Sequence, residues 1–313
     1  MESHVFAAVL VAAFLHAGWN SVVKLGLDRV STVLLLALVQ ALIAIPILPF
    51  VPQPATQAWS WIVAAAVLQT GYKVFLVQAY AHADLSLAYP LARGSAPLIV
   101  TLVSVAFLGV SLDPVYLLAI FCISAGILVM AARGSADGRT RGKALFYAMG
   151  TAGATASYTL ADGSGARSAG TSSGFILWMV VGDAIGMIAY ALWTRGRAAF
   201  PAVLPAWKTG VAAGAMSLGS YWIAVWAFTQ APIALVAALR ESSILFAVLI
   251  AAFVLREPVS GWRWSSALAI AGGVALMKSL NLQKQRSAAF CRMGSFETFA
   301  ALRVTNRSGR VGA

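Results

Sequence analysis

Six ionisable residues, His16, Lys73, Arg93, Asp183, Arg240 and Glu241, fall well inside long apolar runs. A charge at the centre of a bilayer costs about 2.5 to 3.5 kcal/mol on insertion scales. Each therefore calls for a counter-charge or a wet cavity. His16, Asn20 and Lys24 recur every four residues and share one helical face, with Trp19 flanking it. This stripe suits a cavity wall, the indole stacking and the amide donating and accepting, or equally a set of interhelical packing and hydrogen-bonding contacts. Gln69, Tyr72, Lys73 and Tyr80 share a second face. Lys73 is far enough from the ends of its run that it either snorkels at a stretch or faces a central cavity.

The fourth run is the most informative. Pro90 and Pro97 bracket Arg93-Gly94, and each proline removes a helical hydrogen bond. This predicts a kink or partial unwinding, which is tolerated at membrane depth where backbone lines protein or water. Tyr89 lies four residues before Arg93 on the same face, and a structural kink with Arg93 paired to Glu241 or Asp183 is the competing reading. The expected substrate-binding set is His16, Trp19, Asn20, Tyr72, Lys73, Tyr89, Arg93, Tyr221, Arg240 and Glu241. Asp183, Glu241 and His16 are the coupling or gating candidates, and Asp162 is expected at a membrane edge in contact with water. Among the deep charges, Lys73, Arg93 and Arg240 stand against Asp183 and Glu241, leaving one positive charge. That balance favours an anionic or zwitterionic solute.

The elements that must hold these residues follow from composition. The chain has 313 residues, 60% of them hydrophobic and 10% charged, where a soluble domain carries about 25% charged residues. This excludes an ordinary soluble protein. The net charge of +12 does not imply nucleic acid, because the basic residues punctuate apolar runs instead of forming a patch. Cys122 and Cys291 are isolated and the three histidines do not cluster, so neither a disulfide framework, a metal site nor a cofactor is expected. About 20 apolar residues cross a membrane as a helix. Ten such runs are expected, near 4–24, 31–50, 59–80, 86–109, 114–131, 143–161, 173–194, 209–229, 232–255 and 261–280. The first lacks a basic lead-in and reads as a membrane helix, not a signal peptide. Residues 281–313 read as a disordered basic tail.

A shift of 148 residues sets Leu91 on Leu239, Ser95 on Ser243 and Arg93 on Glu241. Runs three to five then overlay runs eight to ten. The repeat units are 4–131 and 143–280, joined by a loop at 132–142. Five spans is an odd number, so the copies are expected in opposite orientations, an inverted repeat. An Arg93 to Glu241 contact near the pseudo-twofold axis is expected to neutralise both charges and to serve as a gate.

The chain resembles the EamA-like family of the drug/metabolite transporter superfamily. The resemblance rests on His16-Ala17-Gly18-Trp19-Asn20, on Tyr89-Pro90-Leu91-Ala92-Arg93-Gly94 with Pro97, and on Leu239-Arg240-Glu241-Ser242-Ser243-Ile244-Leu245-Phe246 with Arg256-Glu257-Pro258. It covers residues 4–280 and implies an all-α membrane protein of ten helices that exports amino acids or other small metabolites, while the residual positive charge extends the expected class to organophosphates and phosphonates. The expected function is secondary active transport in a bacterial cytoplasmic membrane, with protons as a candidate coupling ion and lipid as surroundings. A monomer or a homodimer is compatible. No nucleotide-binding loop is present. A membrane-embedded enzyme, for which no convergent catalytic motif exists, and a channel are the alternatives. Orientation stays open: loop lysines and arginines argue for both termini outside the cytoplasm, whereas the basic tail and the family resemblance argue for both inside.

Overall fold

The structure is a computed structural model that describes residues 1–23, 28–82, 85–134, 142–254, 256 and 259–283, together forming an all-helical protein with no strand among them. The helices are α1 (Ser3–Val23), α2 (Arg29–Ile47), α3 (Trp59–His82), α4 (Leu85–Ala106), α5 (Pro114–Gly134), α6 (Gly142–Ser168), α7 (Ser172–Arg195), α8 (Trp207–Gln230), α9 (Ile233–Arg240) and α10 (Ser243–Leu249), then a π-helical turn (Ile250–Val254) and α11 (Gly261–Gln283). Seven helical segments among the described residues are long and apolar enough to cross a membrane: Ser3–Ser21, Arg29–Phe50, Thr56–Ala79, Ser172–Ala199, Pro201–Gln230, Ile233–Val254 and Gly261–Gln283. Pro90–Ala106 and Pro114–Met130 are shorter apolar helices.

The surface is what lipid requires. Phe50, Phe107 and Trp193 are 80% or more exposed and Leu268 is 70% exposed, while the buried interior carries most of the deep charges. Helix ends are fixed locally. The Asp28 carboxylate accepts hydrogen bonds from the backbone amides of Val30 (3.0 Å) and Ser31 (3.2 Å) at the start of α2, satisfying amides that have no helical partner. Thr171 caps α7 in the same way through the Gly174 amide at 3.1 Å.

The principal helix pairs are α3 with α6, α1 with α8, α4 with α5 and α2 with α7. Small residues permit the close ones. On α7, a Cβ added at Gly186 would collide with Thr70 of α3, and one at Gly182 would lie 2.9 Å from the Ala66 Cβ. Between α5 and α11 the contact is reciprocal: a Cβ at Gly126 would meet the Ser266 carbonyl at 3.1 Å, and one at Gly273 the Ala119 carbonyl at 2.8 Å.

Two features depart from expectation. First, α6 does not stop near residue 161 but runs to Ser168. Its final turns are built from Gly163, Ser164, Gly165 and Ala166, too little apolar to read as a span. They stay helical because their small faces admit neighbours: a Cβ at Gly163 would collide with Ile233, and one at Gly165 would meet Trp61 at 2.6 Å. Second, α4 is continuous through Pro90 and Pro97, so the expected partial unwinding does not occur there. The irregular backbone lies in the ninth run. The amides of Glu241 and Ser242 donate to Ala238 and Leu239 carbonyls, each at 3.1 Å, and the Ile244 amide donates to the Glu241 carbonyl at 3.0 Å. These three-residue hydrogen bonds make a tight 3₁₀-type turn separating α9 from α10.

Candidate functional site

Among the described residues, three polar clusters hold the deep charged side chains. The first joins α1, α4 and the α9–α10 turn. Arg93 Nε donates to Glu241 Oε2 at 2.8 Å and Nη2 donates to Ser243 Oγ at 3.0 Å. Both charged residues are 6% exposed. The partners are separated by 148 residues, the shift found from the sequence, so the expected contact exists. Arg93 Nη1 lies 3.1 Å from His16 Nε2. For Nη1 to donate there, His16 must carry its hydrogen on Nδ1. The Trp19 Nε1 approach to His16 Nδ1 at 3.3 Å is then an edge-on ring contact, with centroids 5.1 Å apart. Asn20 Nδ2 donates to the His16 carbonyl at 2.8 Å within α1.

The second cluster corrects an expectation. Asp162 is not in contact with water: it is 0% exposed. The expected run ends at residue 161, which puts Asp162 at its edge. The continued helix places it in the interior, where its Oδ2 accepts from the Tyr221 hydroxyl and from Gln69 Nε2 at 3.4 Å. Around it runs an aromatic ladder. Tyr72 and Tyr158 stack edge-on at 5.4 Å, Tyr158 and Tyr221 at 6.1 Å, and the Arg240 guanidinium stands 5.0 Å over the Tyr221 ring. A cation over an aromatic face is attracted by its quadrupole. Among the described residues Arg240 forms no ion pair.

The third cluster pairs Lys73 of α3 with Asp183 of α7, and the Thr70 hydroxyl donates to Asp183 Oδ1 at 3.2 Å. Lys73 is thus held in the interior instead of snorkelling. Helix α3 links two clusters, presenting Gln69 to Asp162 and Lys73 to Asp183. With Asp162 counted, Lys73, Arg93 and Arg240 face Asp162, Asp183 and Glu241, and the expected surplus of one positive charge becomes a formal balance. The side chain of Tyr89, with residues Glu257 and Pro258 and the tail from 284, lies outside the described residues.

Sequence reasoning missed Asp162, Tyr158, Thr70 and Ser243 as site residues. A signal for the first two existed. Thr151, Thr155, Tyr158 and Asp162 recur at three- and four-residue intervals, the test that singled out the His16 stripe, and all four are buried. A groove of about 370 Å³ between α3 and α7, lined by Trp59, Ile62, Val67, Trp178 and Ile185, is apolar and opens on the outer surface. Its one hydroxyl, on Thr70, is bonded to Asp183, so the groove offers a charged solute no counter-charge.

In fold the chain is similar to a protein of known crystal structure, with a TM-score of 0.67 at 16% identity, over 90% of this chain and 99% of the other. No protein-family model and no curated protein matches the sequence.

Proposed function

We propose that this protein is a secondary active transporter of the EamA-like kind, carrying a small anionic or zwitterionic metabolite such as an amino acid, organophosphate or phosphonate by alternating access. The observation that carries the reading is the Arg93–Glu241 pair. It joins two repeat-related positions, one on a helix with two prolines and the other at the break of a discontinuous helix, deep among apolar spans. A discontinuous helix at membrane depth is where transporters of inverted-repeat design hold their solutes, and here, among the described residues, only the α9–α10 segment is broken.

The helix pairs support two inverted five-helix units, 4–131 and 143–280. Under the 148-residue shift α1 and α3 correspond to α6 and α8, so the α3–α6 and α1–α8 pairs are images of each other. The α2–α7, α4–α9 and α5–α11 contacts each join equivalent helices. Rocking of one unit against the other would open the Arg93, Glu241 and His16 cluster to alternate sides.

The reading is tested by accumulation and resistance assays in cells expressing the intact protein or Arg93→Ala, with panels of amino acids, organophosphates and phosphonates. Transport of one anionic or zwitterionic class, lost in the variant, is expected. Equal behaviour of expressing and non-expressing cells across every panel would refute it.

A further inference from the structure

Asp162 is left unused by the account above, and its surroundings are unlike those of the other two deep carboxylates. Asp183 has Lys73 and Glu241 has Arg93 as a bonded counter-charge. Among the described residues no cation bonds Asp162. The cation that approaches it, Arg240, stands over the Tyr221 ring instead. One carboxyl oxygen accepts from Tyr221 and Gln69, while Oδ1 is buried and meets no hydrogen-bond partner among the described residues. A carboxylate in such a place bears a desolvation penalty that the two hydrogen bonds to Oδ2 offset only in part, and the ordinary response of a buried acid without a bonded counter-charge is to become neutral. An oxygen closed to water has no room for a metal ion or a solute group. A proton needs none.

We propose that Asp162 is a proton-binding site whose occupancy sets the net charge of the buried centre. In a local opening that admits water, Oδ1 takes a proton from hydronium, forming one O–H bond while the hydronium O–H bond breaks and leaves water; release is the reverse. The charged and titratable groups around it are Tyr72 on α3, Tyr158 on its own helix, Arg93 on α4, and Asp183 on α7 with its bonded partner Lys73 of α3. Tyr221 on α8, Arg240 on α9 and Glu241 in the following turn complete the set. With Asp162 ionised, three cations face three carboxylates. With Asp162 protonated, Lys73, Arg93 and Arg240 face two, and one positive charge is uncovered. Proton binding and anion binding therefore reinforce each other, and by linkage each raises the affinity for the other by the same factor. This coupling, unlike the proton site itself, rests on the transporter reading.

The site is tested on the full chain in phospholipid nanodiscs by infrared difference spectroscopy between acidic and alkaline buffer. A carboxyl C=O band that comes and goes with pH is expected in the wild type, in Asp183→Asn and in Glu241→Gln. It should vanish in Asp162→Asn and move to higher frequency in Tyr221→Phe, which removes a hydrogen bond to that carboxyl. Should Asp162→Asn fail to fold, the Tyr221→Phe shift decides alone. Spectra unchanged by both substitutions overturn the proposal. Coupling is read in proteoliposomes, with the solute class that the Arg93→Ala panels identify: uptake should fall with rising pH by up to about tenfold per pH unit, the limit for one proton, and lose that dependence in Asp162→Asn. An Asp162 band with no solute transported would remove the transporter reading and leave the proton site standing. Transport indifferent to pH in the wild type would overturn the coupling.

Discussion

Under the 148-residue shift helix α4 falls on the α9–α10 pair, yet the one with two prolines is continuous and the one without an internal proline is broken. Proline alone therefore does not decide where a membrane helix gives way. In α4 the missing amide of Pro97 leaves the Arg93 carbonyl without its helical donor, and the helix tolerates the loss. In the second half, adjacent residues Arg240 and Glu241 must serve partners on different helices, Tyr221 and Arg93. A 3₁₀ turn advances about 120° per residue where an α-helix advances about 100°, so tightening the turn widens the angle between the two side chains. Leaving either charge of such a pair stranded costs roughly 3 to 5 kcal/mol, and the tightened turn keeps both side chains on their partners with only a few hydrogen bonds altered.

The comparison can be broken most forcefully at the ion pair. Arg93→Ala should destabilise the protein by about 3 to 5 kcal/mol, because it strands Glu241 as a buried charge, and should abolish transport. The double variant with Glu241→Ala should recover much of that stability and none of the transport. A double variant as unstable as Arg93→Ala alone would show that the pair is not what is being lost. Glu241→Gln keeps the shape and should impair transport more than folding; unchanged transport would refute a gating role. Ser243→Ala removes the acceptor of one guanidinium N–H and should cost about 1.5 to 3 kcal/mol, the range for hydrogen bonds to charged groups, measured by denaturation in detergent. Pro97→Ala should be mild, restoring a helical hydrogen bond with transport retained. A collapse of transport in that variant would return the hinge to the proline.

How much of this was legible in the sequence follows from what each feature depends on. The seven long apolar segments are legible because bilayer thickness fixes their length, and the Arg93–Glu241 contact because a 148-residue shift puts the two positions in register. The end of α6 was not. Gly163, Gly165 and Asp162 carry no apolar signal, and what keeps them helical is the close approach of Ile233, Phe175 and Trp61 from elsewhere in the chain. The turn at Glu241–Ser242 was hidden for a similar reason. No glycine or proline marks it, and only the positions of Tyr221 and Arg93 explain it. Prolines are visible locally, and partners are not.

An exposed ion pair sets the lower end of the scale. Arg195 Nη2 lies 2.6 Å from Asp28 Oδ1, with both side chains partly open to water, and the Arg195 hydrogen bond holds the Asp28 carboxyl well below the usual carboxylate range. A depressed native value means that this contribution is present above the unfolded value of about 3.9 and is lost as pH falls below it. Exposure keeps it small, within the range of about 0 to 1 kcal/mol for surface pairs. Acid titration of thermal stability should show a slight loss that Asp28→Asn removes, since asparagine still caps α2. An acid-induced loss of the same size in that variant would assign the effect elsewhere.

The most direct test of two units closing on a buried polar centre is the accessibility of the α9–α10 turn. Ser243→Cys, placed in a chain with Cys122 and Cys291 replaced by serine, is treated in right-side-out and inverted membrane vesicles with a membrane-impermeant maleimide. Alternating access predicts labelling from both sides, with the balance shifted by pH and by the transported solute. A cysteine that reacts from neither side would contradict the account.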